Sequence, residues 1–526
     1  MICRRIGAAL AVIFSLALAP SPLAAQELKV GLSAEPNSLD PQFNNQPANN
    51  QIALHMFEAL VVQDAAQRLQ PALAVSWQAI DDMTWEFKLR EGVTFHDGSP
   101  FTAEDVVFTM ERAAKVPNAP APFTHFMRQI AGVDVVDPLT VRLRTAVPAP
   151  LLARDLSAIR ILSKRAASGP APEGKTTDQL NRGDGLVGTG PFRFVEWSRG
   201  NQLVLERNDA YWGAKPAWQK VIFRPLPNAA VRVAALLSGD VDIIETPPTA
   251  DLPGLARDAR VTLTGAPTHR VIYIHLDQFA EPTPGIPDTN GKNPLKDRKV
   301  RQALALALDR SAMVQRIMEG FAAPAADLLP EPMFGTRQST PVTTMDVVQA
   351  KKLLAEAGYP DGFSITLGTA SGRYVNDTKV AEAIAAQWTA AGVKTQVEAL
   401  APPVFAKNRD EHRYSAYIAG YATTTGEMSE VLRALVATPS PERGVGWANK
   451  GRYSNPALDA RLTEALRTVD VEKRGALLQE ASRLAMDDYA ILPLYFEVSA
   501  WALRKGLTYA GRADQYTLAW LVTPVP

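Results

Sequence analysis

Residues 85 to 89 alternate, with Trp85, Phe87 and Leu89 set against Glu86 and Lys88, which is the period of a half-buried strand. Gly92, Asp97-Gly98 and Pro100 then supply turn residues. Thr102 stands three before Asp105 and opens the apolar periodicity of Val106, Val107 and Met110. The stretch from Trp85 to Arg112 therefore predicts strand, loop, helix. Alternation also predicts a first strand at 28–33, hairpins over 133–144 and 192–207, and a strand at 220–225. A helix is predicted from Asn50 to Val62, with Ile52, Met56 and Phe57 on one face, and another ends at Gly239 and feeds a strand at 241–244. The order of elements is that of an α/β protein.

The second half repeats this alternation of types. Residues 269–277 form a strand, a Pro-, Gly-, Asn- and Asp-rich segment runs on to Pro294, and a crossing between two lobes is placed over this stretch. Asp297 and Asp309 each cap a helix, the second ending at Gly320. A strand at 363–368, a helical stripe of Val380, Ile384, Trp388 and Ala391 closed by Gly392, and a strand at 393–400 make a parallel crossover unit. The loop at its carboxyl end holds Arg373, Tyr374, Asn376 and Asp377, where an open α/β sheet presents its ligand crevice. Residues 414–422 are another strand, helices follow from Asn455 and from about Val471 to Asp488, and the run after Ile491 carries the chain back toward the first lobe.

Composition narrows the classes. The 526 residues exceed one ordinary core, and two to three domains are expected. Lys plus Arg and Asp plus Glu both number 55, so no net field favours nucleic acid or an anionic membrane. Arg4 and Arg5, an apolar run from Ile6 to Ala19, and Leu23-Ala24-Ala25 read as a signal peptide over residues 1–25, cleaved after Ala25. That run is shorter than the ~20 residues of a spanning helix, so a soluble, exported chain in the periplasm is expected. The one cysteine, Cys3, precedes the apolar run, so no lipid anchor, disulfide or thiol chemistry is expected of the mature chain.

Several segments, taken in order, closely resemble family 5 of the bacterial extracellular solute-binding proteins, the dipeptide-, oligopeptide- and nickel-binding group of ABC importers. They are SLDP at 38–41, FHDGSPFTAEDV at 95–106, GTGPFRF at 188–194, NDAYW at 208–212, GDVD at 239–242 and the helical segment at 294–320. The resemblance implies an α/β, two-lobed periplasmic-binding-protein fold of type II, cluster C. The first lobe would span 26–268 with an inserted subdomain at about 60–185, the second 269–489, and residues 490–526 would return to the first. It also implies a monomer that captures a small solute, peptide or peptide-like, and docks on permease subunits driven by separate ATPase subunits. The other reading within binding is a non-peptide solute such as a glycoside, an opine-like conjugate or a metal chelate.

The candidate ligand-binding residues rest on that resemblance. Arg373 occupies the place of a carboxylate-binding arginine, and its guanidinium fork suits that partner. Tyr421 and Trp447 are expected to clamp the solute with their rings. Phe43, Asn44, Asn45 and Gln46 follow the SLDP loop and are expected to line the cleft. Relatives that bind peptides place an Asp about four residues after a strand glycine, whereas here Gly420-Tyr421-Ala422-Thr423-Thr424 has none. A solute held by a free α-amine in the usual family manner is therefore not expected. Thr424 and Thr425 offer neutral donors and acceptors, and Glu427 is the one substitute counter-charge nearby.

Chemistry is not expected. A hydrolase would need a nucleophile, base and orienting group, but no Gly-x-Ser-x-Gly or Ser-x-x-Lys motif stands near a suitable turn. The six histidines are scattered without His-x-His or His-x-x-x-His spacing, so neither a cofactor nor a metal site built by the protein alone is expected.

Overall fold

The computed structural model describes residues 27–171, 173–423 and 425–525, so the predicted signal peptide and Thr424 lie outside the described residues. Its backbone is organised by two long antiparallel strands, Val261–Leu276 and Leu492–Arg504, which run from one lobe into the other. On one side they continue into Ile243–Glu245, Glu27–Leu32, Lys220–Pro225, Gln202–Arg207 and Phe192–Ser198, and on the other into Ala416–Ala422, Phe363–Ala370 and Val393–Leu400. Between the lobes the pairing slips. Pro267 faces Val498, but the next partners are Val271 and Phe496, so Thr268, His269 and Arg270 have no partner on Leu492–Arg504, although Arg270 pairs with Ala422 on the other side. A bulge of this kind bends and twists the ribbon where the chain crosses.

Each lobe closes its own core against the sheet. Leu28, Val30, Phe192 and Phe223 are buried together in the first. Ile272, Ile274, Val380 and Trp388 are buried in the second, where Trp388 donates its indole N–H to the Leu304 carbonyl at 3.0 Å. The crossover unit is present as Phe363–Ala370, helix Asp377–Ala390 and Val393–Leu400, with the two strands parallel. A separate four-stranded antiparallel sheet, in the order Ala74–Asp81, Thr84–Leu89, Thr140–Thr145, Ile130–Asp137, lies beside the first lobe with its own core around Trp85, Phe87 and Val106.

The strand–turn–helix stretch forms with the caps that its residues dictate. Asp97 accepts from the Ser99 N–H at 3.0 Å, and Asp105 accepts from the Thr102 N–H at 2.9 Å at the start of helix Ala103–Ala113. The turn is sewn to the GTG segment, since the His96 N–H donates to the Gly188 carbonyl at 2.9 Å. A Cβ on Gly188 would sit 2.0 Å from the Met56 carbonyl oxygen, and one on Gly190 would sit 2.6 Å from the Met56 carbonyl carbon. These glycines allow two backbones to touch.

The first helix departs from expectation. It spans Pro47–Met56, not Asn50 to Val62, because Pro47 fits the first turn, and Val61–Gln63 instead pairs with Leu69–Pro71.

Candidate functional site

The slipped crossing forms the floor of a cavity of ≈ 480 Å³, with His269 and Arg270 in its wall. The first lobe contributes Asn45, Gln51, Asp155, Arg160 and Glu245, the second Ala422, Thr423 and Thr425, and the returning tail Asp514 to Tyr516. A second cavity of ≈ 340 Å³ shares Phe126, Asp155 and Thr425 with it and adds Arg128, Glu430 and Arg433, so the cleft is elongated. Its size falls in the ~300–1,000 Å³ range of small-ligand sites. A wider opening of ≈ 620 Å³ runs along helix Pro456–Ala465, but side chains of the second lobe alone line it.

The tail is held in place by buried polar bonds. His55 accepts the Ala519 N–H at Nε2 (2.9 Å) while its Nδ1 lies 2.7 Å from the Gln51 carbonyl, which fixes the neutral Nδ1–H tautomer. Burial drops the His55 pKa to about 4. Glu245 accepts from the Ser33 N–H (2.7 Å), the Ser33 hydroxyl (2.6 Å) and the Thr517 hydroxyl (3.1 Å). Asp514 is gripped by Arg512 through Nε at 3.0 Å and Nη2 at 2.5 Å.

Charge is distributed unevenly along the cleft. Glu427 is buried between Arg474, with which it shares a hydrogen-bonded ion pair, and Arg154, whose Nε lies 3.5 Å from its Oε2. Arg154 also donates from Nη1 to the Thr425 carbonyl at 2.6 Å. Beside this cluster, Asp155 is pushed up to about 7, first by burial and then by the charge of Glu427. Arg160 is 7 % exposed, and burial holds its guanidinium down at about 10, still charged at neutral pH. Glu430 accepts from the Tyr421 hydroxyl (3.2 Å), the Thr423 hydroxyl (2.7 Å) and the Thr425 N–H (2.9 Å).

Of the residues singled out from sequence, Asn45 and Thr425 line the cleft. Arg373 does not: it is exposed, its guanidinium 5.5 Å from the Tyr374 ring centroid, and the loop N–H groups around it are tied to Asp377. Gly420 is roofed by Tyr374, whose ring a Cβ would meet at 2.8 Å. Trp447 stands 48 % exposed outside both cavities, with Arg433 5.8 Å from its ring. Glu427 cannot substitute for a cleft aspartate, because two arginines already engage it. Phe43 is half-buried, Gln46 exposed, and Asn44 is buried with its amide donating to Asn37 at 3.0 Å, and none of the three lines either cavity. Tyr421 lines neither cavity and donates its hydroxyl to Glu430, which lines the smaller one.

Sequence reasoning missed Asp155, Arg160, Glu430 and Asp514. Only the spacing of Glu430, three residues past Glu427, offered any signal.

A two-lobed sheet with a cleft at its crossing strands is the fold of type II periplasmic binding proteins. The profile of the bacterial extracellular solute-binding proteins, family 5 (middle region), matches residues 68–441, and the chain belongs to that family. It is 30 % identical over 479 residues to the glutathione-binding protein GsiB of Pectobacterium atrosepticum, covering 88 % of each chain. It is 28 % identical over 512 residues to GsiB of Salmonella paratyphi A, covering 95 % of this chain and 94 % of the relative. It superposes on the unliganded, open form of the periplasmic murein tripeptide-binding protein MppA with a TM-score of 0.82 and 25 % identity, over 95 % and 97 % of the two chains. Family 5 proteins deliver solutes to ABC permeases, and these relatives are binding proteins. No helix among the described residues is long and apolar enough to cross a membrane.

Proposed function

We propose that this chain captures a small peptide-like solute between its lobes in the periplasm, as a monomer, and presents it to an ABC permease with separate ATPase subunits. The observation that carries this reading is the elongated cleft at the crossing strands, walled by both lobes and the tail and set with separate positive and negative side chains. Relatives named for glutathione and for a murein tripeptide support a peptide-like solute. Residues 26–268 with the insertion at about 60–185, 269–489 and 490–526 serve as the units that move, and Thr268 to Arg270 is the segment at which they turn. Residues 1–25 act as the export signal. The protein performs no chemistry on its solute.

Calorimetry with glutathione, glutathione disulfide, Ala-Ala and Ala-Ala-Ala tests this reading. One-to-one binding of at least one peptide, recovered unchanged, is expected. Failure of the whole panel, or turnover of a bound member, would contradict it.

A further inference from the structure

Resting on that reading of the cleft, we propose that the solute is zwitterionic and is held mainly by the first lobe's helix Leu152–Leu156 and the turn after it, its carboxylate on Arg160 and its ammonium on Asp155.

Arg160 is built as a receptor for an anion. Its guanidinium is buried in the cavity wall, yet among the described residues its one hydrogen bond runs from Nη1 to the Ser157 carbonyl at 2.5 Å, and Nε is buried with no partner. Other buried arginines are better satisfied: Arg112 grips Asp40 at 3.0 and 2.7 Å and Arg301 reaches Asp488 at 2.7 Å, while Arg232 and Arg310, which meet no carboxylate among the described residues, each donate to two or more backbone carbonyls. The groups that favour the charged form of Arg160 are the Tyr516 phenol and Asp514, and Arg512 already occupies Asp514. Burying a charge without its partner is costly, so a fold that keeps one at a cavity wall is poised for a ligand of opposite sign. The planar guanidinium fork matches a carboxylate through two parallel hydrogen bonds.

Asp155 is the complementary case. It lines both cavities, and its carboxylate accepts no hydrogen bond among the described residues. The charged groups around it are Glu427, Arg154, Arg128 and Arg474; Arg154 and Arg474 are both directed to Glu427, and Arg128 lines the smaller cavity with Asp155. Glu430 in the shared cavity adds negative charge from the second lobe. A ligand ammonium placed there would meet the Asp155 carboxylate from the first lobe and the Glu430 carboxylate from the second, with Arg128 and Arg433 further along the same cavity. This arrangement supplies a counter-charge that the strand after Gly420 lacks.

The test pairs each side chain with the group it is assigned. Affinities of wild type, Arg160→Gln and Asp155→Asn are measured by calorimetry for Ala-Ala-Ala, its C-terminal amide and its N-acetyl form, with glutathione as a second free peptide. Arg160→Gln is expected to weaken the free peptides at least tenfold but to leave the amide where wild type holds it. Asp155→Asn is expected to do the same with acetylation. If Arg160→Gln fails to fold, Arg160→Lys, which keeps the charge and loses the fork, runs the same cycle. Free peptides that bind the variants within twofold of wild type, or losses that simply add, would overturn the assignment and leave the cleft reading standing. No binding of any probe to wild type would overturn both.

Discussion

Arg154 of the first lobe and Glu427 of the second lie buried against each other, Nε to Oε2 3.5 Å, on the side of the crossing strands where the cleft opens. Arg474 completes the cluster from the helix Val471–Asp487, and the Arg154 guanidinium also holds the carbonyls of Gln67 at 3.1 Å and Thr425 at 2.6 Å. One carboxylate therefore compensates two buried cations and ties the lobes at one edge while the cavity stays open beside it.

Removing that carboxylate leaves both guanidinium groups buried without a counter-charge. Glu427→Gln is expected to lower stability by about 3–5 kcal/mol, the usual cost of breaking a buried ion pair from one side. Urea unfolding checks this. A loss below about 1 kcal/mol would mean that water reaches the cluster.

Arg373→Ala is expected to change neither stability nor solute affinity by more than twofold, because its side chain is exposed and outside both cavities. The same calorimetric panel checks it.

How much of this was legible in the sequence differs from residue to residue. The capping box of Thr102 and Asp105 and the crossover of Phe363–Ala370 with Val393–Leu400 depend on neighbours in sequence, so pattern alone located them. The pairing slip at Thr268 to Arg270 is not legible as such: Gly265, Pro267 and the polar run Thr268-His269-Arg270 interrupt the alternation and read as the edge of a strand, whereas the irregularity exists only against Leu492–Arg504 within one continuous strand. Arg160 and Asp155 were invisible for a related reason: a charged side chain reads the same whether its partner is present or missing, and only the folded surroundings show which. Arg373 drew attention through its neighbours in a familiar loop, but that loop folds its backbone onto Asp377 and turns the guanidinium outward.

Acid should unfold the protein through its buried imidazoles. Burial lowers His55 and His96 to about 4 and His275 to about 3 from an ordinary 6.5. The unfolded chain binds more protons than the native one between those values, so stability is full above about 6.5 and falls as pH drops toward 4. Together the three contribute on the order of several kcal/mol. Thermal melts from pH 7.5 to 4 check it, and His55→Gln should flatten part of the slope.

Solute affinity should depend on pH with the opposite type of group. The Asp155 carboxyl is raised from 3.8 to about 7, so it carries a proton through much of the mildly acidic range, and ionising it as pH rises costs the unliganded protein stability. A bound ammonium favours the ionised form, so affinity for Ala-Ala-Ala is expected to rise between about pH 5 and 7 with release of a proton, then level off. Asp155→Asn should abolish the rise, as titrations in buffers of different ionisation enthalpy would reveal.

Gly190→Ala is expected to destabilise the fold by about 1–3 kcal/mol, since its Cβ would lie 2.6 Å from the Met56 carbonyl carbon and both backbones are pinned. Gly200→Ala, in an exposed turn with open space around it, tests the other effect: its cost comes from the positive φ of 73° alone. Comparing the two melts separates contact from conformation.

Capture between the lobes is tested most directly by small-angle X-ray scattering of the wild-type chain, alone and saturated with a peptide that binds in the calorimetric panel. Closure about Thr268 to Arg270 predicts a smaller radius of gyration and a shorter maximum dimension on saturation, at unchanged molecular mass. Scattering that is superimposable with and without bound peptide would contradict capture by lobe closure.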